Sequence, residues 1–275
     1  MCGGLRAQVL GGSKVLRTSM KRSRDERRLY HDLAWTWPIV SPPGRYVREA
    51  HAIHRLLRGR APAARTLLHL GCGGGHLDMT FKRSFEITGV DISPAMLALA
   101  RRLNPEVAYR VGDMRSIRLG RTFDAVVIAD SIAYMRTQRD LRAAFTTAFV
   151  HLAPGGVFLT YVERTPATFR QNATTRAIAR RGDVEVVLIE NQHDPDPADT
   201  TYESTFIYLI RNRGRLRVET DRHRLGLFPL PIWRRLLRTT GFRVTQVVGE
   251  PDRPGAWGNA TFVCVRPAIK RQGKG

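Results

Sequence analysis

Residues 66–75 read Thr66-Leu67-Leu68-His69-Leu70-Gly71-Cys72-Gly73-Gly74-Gly75, an apolar run of strand length that breaks into glycines. Asp91 lies 20 residues beyond Gly71, at the end of a second such run, Glu86 to Asp91. Ser93 and Pro94 then suit the cap and first position of a helix with Met96, Leu97, Ala100 and Leu103 on one face. Alternation of strand period with helix period predicts a parallel α/β sheet. Glycines where a strand hands over to a helix let the backbone take positive φ angles and approach a ligand closely. A carboxylate at the end of the next strand can accept both hydroxyls of a ribose. Together they favour a nucleoside-bearing ligand over a purely structural turn.

Outward from this stretch the same alternation continues. Strands are expected at Val107 to Val111, Phe123 to Ala129 and Val157 to Val162. Thr137, with Asp140 three residues on, resembles a capping box and opens a helix to about Leu152, stopped by Pro154, Gly155 and Gly156. Beyond Tyr161 only strands follow, at Asp183 to Glu190, Thr201 to Arg211 and Arg215 to Arg224, with a hairpin turn at Asn212 to Gly214, so an antiparallel insert is expected. A helix at Ile232 to Thr239, ended by Gly241, and strands at Phe242 to Val248 and Ala260 to Arg266 return the chain to the main sheet. Upstream, Pro42, Pro43 and Gly44 precede a helix from Tyr46 to Arg58. The expected organisation is a disordered leader (1–24, with Met20 as a possible start), an N-terminal helical cap (25–65), a core (66–165), an antiparallel substrate cap (166–228) and a C-terminal return (229–275).

Composition narrows the partners. No apolar run approaches the roughly 20 residues of a spanning helix, so no membrane helix is expected. Cys2, Cys72 and Cys264 lack C-x-x-C spacing, which points to a reducing, cytoplasmic setting without a cysteine metal site. The net charge of +21 rests on 40 Arg and only 5 Lys and is concentrated outside residues 66–165. A solvated surface is preferred to a nucleic-acid footprint. His76 stands where a dinucleotide fingerprint needs Gly or Ala, and no G-K-[ST] follows a strand, so an adenosine without phosphates suits the turn better. His51 and His54 share a helix face without a third ligand, and no metal site is expected.

Five ordered segments, LHLGCGGG (68–75), VDISPAM, GDM (112–114), FDAVVIADSIAYM and LAPGG (152–156), resemble the successive motifs of class I S-adenosylmethionine-dependent methyltransferases. The resemblance implies a Rossmann-like, seven-stranded, mostly parallel sheet, with the antiparallel β cap inserted after the fifth strand, and S-adenosylmethionine as cofactor. It places His69, Gly71, Cys72, Gly73 and Gly75 at the amino acid part, Asp91 at the ribose, and Asp113 with Met114 at the adenine. Ile92 and Met96 would sandwich the adenosine, and Asp130 with Ser131 would lie below the sulfonium. One departure is His69, where the family usually carries an acid for the cofactor's ammonium; weaker cofactor binding is expected.

The chain is also similar to the aminosugar N,N-dimethyltransferases. It shares with them Tyr30-His31-Asp32-Leu33, Tyr46, the Ser131-Ile132 pair and the insert ending in His-Arg-Leu-Gly-Leu-Phe (223–228). Where that subgroup has a His near the acceptor amine, this chain has Tyr134. Methyl transfer needs alignment and exclusion of water, and a base only if the acceptor is protonated. The catalytic candidates are Tyr134, Tyr30 and His223, with Tyr161 and Glu163 at the end of the fifth strand; Trp35, Trp37 and Phe169 are candidates for a pocket wall. Absence of an Asp/Asn-Pro-Pro-Tyr/Phe segment, of a Pro-Cys nucleophile and of a paired-glutamate loop favours a small-molecule acceptor, at N or O. The alternatives are an RNA-directed methyltransferase and an inactive nucleotide-binding module with an Arg-rich partner surface. The oligomeric state is left open, a homodimer being the form considered.

Overall fold

The computed structural model describes residues 27–247 and 260–268. The expected leader, 1–24, lies outside the described residues, as does Val248 at the end of one expected strand. Short 3-10 turns at Arg28–Tyr30 and Ala34–Thr36 lead into α1 (Trp37–Val40), and a third at Pro43–Tyr46 leads into α2 (Val47–Arg58). The alternating region gives β1 (Thr66–Leu70), α3 (Asp78–Phe81), β2 (Glu86–Asp91), α4 (Pro94–Leu103), β3 (Ala108–Val111) and β4 (Phe123–Ile128). A 3-10 turn at Asp130–Tyr134, α5 (Gln138–Val150) and β5 (Leu152–Val162) follow. The insert is β6 (Ala173–Arg181), β7 (Val184–His193), β8 (Thr201–Asn212) and β9 (Arg215–Gly226); α6 (Leu230–Thr240), β10 (Arg243–Val247) and β11 (Ala260–Val265) complete the described chain.

Seven strands form one sheet in the order β10-β11-β5-β4-β1-β2-β3, and the insert forms a second sheet, β6-β7-β8-β9, antiparallel throughout. β1 pairs in parallel with both β2 and β4, while β11 runs antiparallel to β5 and β10. From β1 the chain moves to β2 on one side, and later to β4 on the other. The carboxyl ends of these three strands therefore open a crevice at the switch point, where open α/β sheets bind ligands.

Local chemistry accounts for the elements that frame the crevice. Ser93 Oγ accepts from Met96 N at 3.1 Å and caps α4. Thr137 Oγ1 accepts from Asp140 N at 3.0 Å and donates to its carboxylate at 2.9 Å, so Thr137 caps α5, with the carboxylate returning to the hydroxyl where a capping box would use the backbone N–H. Both sheet faces are covered: Phe145, Phe158, Trp233 and Phe262 pack on one, Ile53, Leu57, Phe81 and Leu97 on the other. Each such side chain contributes on the order of 1.5–3 kcal/mol by leaving water.

Two elements differ from the sequence reading. Pro154, Gly155 and Gly156 lie within β5, which begins at Leu152. Gly155 N donates to Arg266 O at 2.8 Å and Arg266 N donates to Gly156 O at 3.0 Å, so the end of β11 draws this turn into the sheet. β6 was not foreseen, because its sequence, ATTRAIARR, lacks a clear apolar alternation. It is an edge strand whose Ile178 is 61% exposed and whose arginines discourage further pairing.

The second sheet stands over the crevice. Val186, Tyr208 and Ile210 pack on Leu33 and Val40 of the N-terminal segment, and Tyr202, Leu225 and Leu227 pack on Ala133, Tyr134 and Phe169.

Candidate active site

The glycine turn after β1 is held from two directions. Gly71 has φ 70° and donates its N–H to Val90 O at 2.7 Å. A Cβ there would lie 2.2 Å from Ser131 Oγ, so the turns after β1 and β4 touch at this point. Gly75, with φ 73°, turns away: a Cβ would meet Tyr109 Oη at 2.6 Å, and its carbonyl accepts from Asn104 Nδ2 at 2.9 Å. Asp91 is 6% exposed, and its carboxylate accepts from Gly73 N and Ser93 N, both at 2.8 Å. Burial raises its pKa, against the pull of those two N–H groups.

One cavity opens at the carboxyl ends of β1, β2 and β4. His69, Gly71, Cys72, Gly73, Asp91 and Ile92 line it, as do Met96, Asp113 and Met114, and Asp130, Ser131, Tyr30 and Tyr134. Gly75 and His223 stand behind the wall, Gly75 supporting the turn and His223 supporting Tyr134. Ile92 is 49% exposed, an aliphatic side chain presented to the opening, whereas Met96 is buried beneath Leu29 and Ala34. Asp113 is bound by Arg115 at 2.6 Å; its burial is outweighed by that guanidinium, which holds the carboxyl below its usual range.

Where an acid was expected, His69 is buried and its Nδ1 lies 2.6 Å from Asp78 Oδ1. Asp78 Oδ2 in turn accepts from Tyr109 Oη at 2.9 Å. Burial opposes a charged imidazole, but Asp78 prevails and the pKa of His69 rises. Its Nε2 has no hydrogen-bond partner. His76 lines the same cavity, stacked on Trp37 with ring centroids 6.0 Å apart, and its Nδ1 is likewise buried without a partner. Burial lowers the pKa of His76 to about 4.

At the other end a row of hydrogen bonds joins three parts of the chain. Tyr30 Oη donates to Tyr134 Oη at 2.9 Å, Tyr134 Oη lies 2.7 Å from His223 Nδ1, and His223 Nε2 lies 2.9 Å from Asp221 Oδ2. Asp221 also accepts from Leu29 N at 2.7 Å. The burial of Asp221 is outweighed by His223, so its carboxyl titrates below its usual range. The same enclosure works the other way on Asp130, whose carboxyl is pushed up by burial against the N–H of Ser131. Glu49, which accepts from Tyr161 Oη at 2.9 Å, is raised to about 7 by burial and by the charge of Asp130. Glu163 is raised to about 7 for the same two reasons.

Asp221, Asp78 and Glu49 were not singled out in the sequence, and His76 entered only as the residue that breaks the dinucleotide fingerprint. Asp221 carried a readable signal, since it lies two residues before His223 on a strand and so shares its face. Asp78 had none, being fixed only by the path of the glycine turn into α3.

Comparison with known proteins bears on the chemistry. A family model described as a methyltransferase domain matches residues 67–156. The dTDP-3-amino-3,4,6-trideoxy-alpha-D-glucopyranose N,N-dimethyltransferase of Streptomyces venezuelae is 33% identical over 212 residues, covering 76% of this chain and 89% of the relative. The crystal structure of Streptomyces venezuelae DesVI superposes with a TM-score of 0.75 at 30% identity, over 90% of this chain and 100% of that one. An amino pentose methyltransferase from Micromonospora echinaspora, solved with S-adenosylmethionine bound, superposes with a TM-score of 0.71 at 28% identity, over 80% and 91% of the two chains. Similarity of this depth extends past the glycine turn into the insert, and with it the chain belongs to the class I S-adenosylmethionine-dependent methyltransferases, near the aminosugar N,N-dimethyltransferases, and methylates a small-molecule acceptor.

Proposed function

We propose that the acceptor is the amino group of a nucleotide-linked amino sugar and that it is methylated on nitrogen. The relatives' named substrates support this reading. The observation that carries it is the Tyr30–Tyr134–His223–Asp221 row, which gives a protonated amine a route for its proton. Asp130, Glu49 and Glu163 gather three carboxyls near the ends of β4 and β5; burial favours their neutral forms, and an ammonium placed beside them would draw them towards the charged one.

S-adenosylmethionine supplies an activated methyl group on a sulfonium. Gly71, Cys72 and Gly73 would run beneath its amino acid part, Asp91 would accept the ribose hydroxyls, and Asp113 with Met114 would face the adenine. Ile92 and Met96 would flank the adenosine, with Asp130 and Ser131 near the sulfonium. The substrate cap (166–228) and the N-terminal cap (25–65) would close the acceptor side and exclude water. Before attack the amine must lose a proton. Tyr134 Oη takes it while passing its own proton to His223 Nδ1, and Asp221 stabilises the resulting imidazolium through Nε2–H. Tyr30 orients the Tyr134 hydroxyl. Buried free thiols at Cys72 and Cys264 support a cytoplasmic setting as part of the same reading.

The test is to incubate the purified chain with S-adenosylmethionine and dTDP-3-amino-3,4,6-trideoxyglucose, with the corresponding 3-hydroxy sugar nucleotide and bulk RNA as competitors, and follow products by mass spectrometry. Mono- and dimethylated amine with matching S-adenosylhomocysteine is the expected result. Methylation of the hydroxy sugar or of RNA, with the amine untouched, would overturn the proposal.

A further inference from the structure

The imidazole of His69 occupies the place where the family resemblance puts an acid facing the cofactor's ammonium. Its Nδ1 side is taken by Asp78 at 2.6 Å, and Asp78 is itself fixed by Tyr109 Oη at 2.9 Å. That bond leaves Nε2 as the ring's remaining polar atom, 2% exposed as part of the residue and without a partner in the protein. A buried polar atom with nothing to bond costs stability, so such an atom on a cavity wall marks a polar ligand group. A second orphan on that wall, His76 Nδ1, shows that this end of the cavity is built for polar groups that the protein does not itself supply.

We propose that His69, held by Asp78, donates Nε2–H to the carboxylate of the cofactor's amino acid part. Anchored by Asp78, the protonated ring offers Nε2–H as a charged donor, which suits a carboxylate. The ammonium is left to His76, whose buried Nδ1 has no partner in the protein. Asp78 thus acts as a positioning residue, fixing the ring and its charge. The inference rests on the cavity being the S-adenosylmethionine site.

Calorimetric titration with trimmed ligands tests it without turnover. S-adenosylhomocysteine carries both the carboxylate and the ammonium, decarboxylated S-adenosylhomocysteine only the ammonium, and 5′-methylthioadenosine neither. His69→Asn keeps an amide near the position of Nδ1 for Asp78 and deletes the Nε2 side. The expected result is about a tenfold or greater preference of the wild-type chain for the carboxylate-bearing ligand over the decarboxylated one, lost in His69→Asn, with 5′-methylthioadenosine bound equally by both. An equal loss for all three ligands would reveal a structural role and overturn the proposal, as would unchanged preference. If His69→Asn does not fold, the wild-type comparison still decides: no preference for the carboxylate refutes it. Failure of the wild-type chain to bind any of the three would instead refute the cofactor assignment.

Discussion

Tyr134→Phe removes one oxygen and leaves the ring, so its consequences can be worked out bond by bond. The hydroxyl makes two hydrogen bonds, 2.9 Å to Tyr30 and 2.7 Å to His223. Tyr30 lines the cavity and can turn to water, but His223 is 1% exposed and its Nδ1 would lose its partner. An unsatisfied buried group costs about 1–3 kcal/mol, so the variant should melt roughly 2–10 °C lower. Loss of the proton route should lower kcat by about 10²–10⁴-fold at neutral pH, the range typical of general acid–base catalysis. Cofactor affinity should hold within about twofold, since 1.4 kcal/mol is needed for each factor of ten and no Asp91 or glycine-turn contact changes. Raising the pH should restore part of the rate, because an amine that is already neutral no longer needs the relay. The assay is S-adenosylhomocysteine release at saturating aminosugar across pH, with calorimetry for the cofactor. A kcat at neutral pH within a few-fold of the wild type, with cofactor binding intact, would refute the reasoning.

Further outcomes follow from other contacts. Asp221→Asn should depress kcat in the same way, and the double variant with Tyr134→Phe should be little worse than either alone; additive losses in the same assay would show that the two act separately. Asp91→Ala should cost about 1–3 kcal/mol of cofactor affinity, because it removes the ribose acceptor together with the anchor for Gly73 N and Ser93 N; unaltered calorimetric affinity would contradict the site. Gly71→Ala should destabilise by at least about 1–3 kcal/mol through a strained positive φ and collision with Ser131, and an unchanged thermal melt would count against the geometry. For Glu49 the sign is set by a folded pKa raised from 4.5 to about 7, so the folded chain holds a proton that the unfolded chain has released. Stability should therefore fall as pH rises between those values, and Glu49→Gln should remove that slope; parallel melting curves for both proteins across the window would disprove it.

The core sheet was legible because β1, β2 and β4 are buried along nearly their whole length and so read as short continuous apolar runs, while α4 and α5 each begin at a readable cap. β6 was illegible for the converse reason, since an exposed edge strand needs no apolar face and Ala173 to Arg181 supplies none. The early start of β5 could not be read from Pro154 and its glycines because the cause is Arg266, more than a hundred residues away. In the site, residues within one turn of a strand end were readable, as with Asp91 and Asp130. The partner of His69 was not, because Asp78 meets it only after the glycine turn and α3 have packed against β1.

The row from Tyr30 to Asp221 is strung between the N-terminal segment, the turn after β4 and β9, with Leu29 N and Arg28 tying the first of these to the last. The glycine turn and Asp91 belong wholly to the main sheet. Warming should therefore separate two events that a single melting temperature would merge. Docking of the outer pieces loosens first and turnover stops, while the sheet still captures its nucleoside. Heat inactivation should then begin as a dissociation of parts within one chain, regained on cooling if the core has not yet given way.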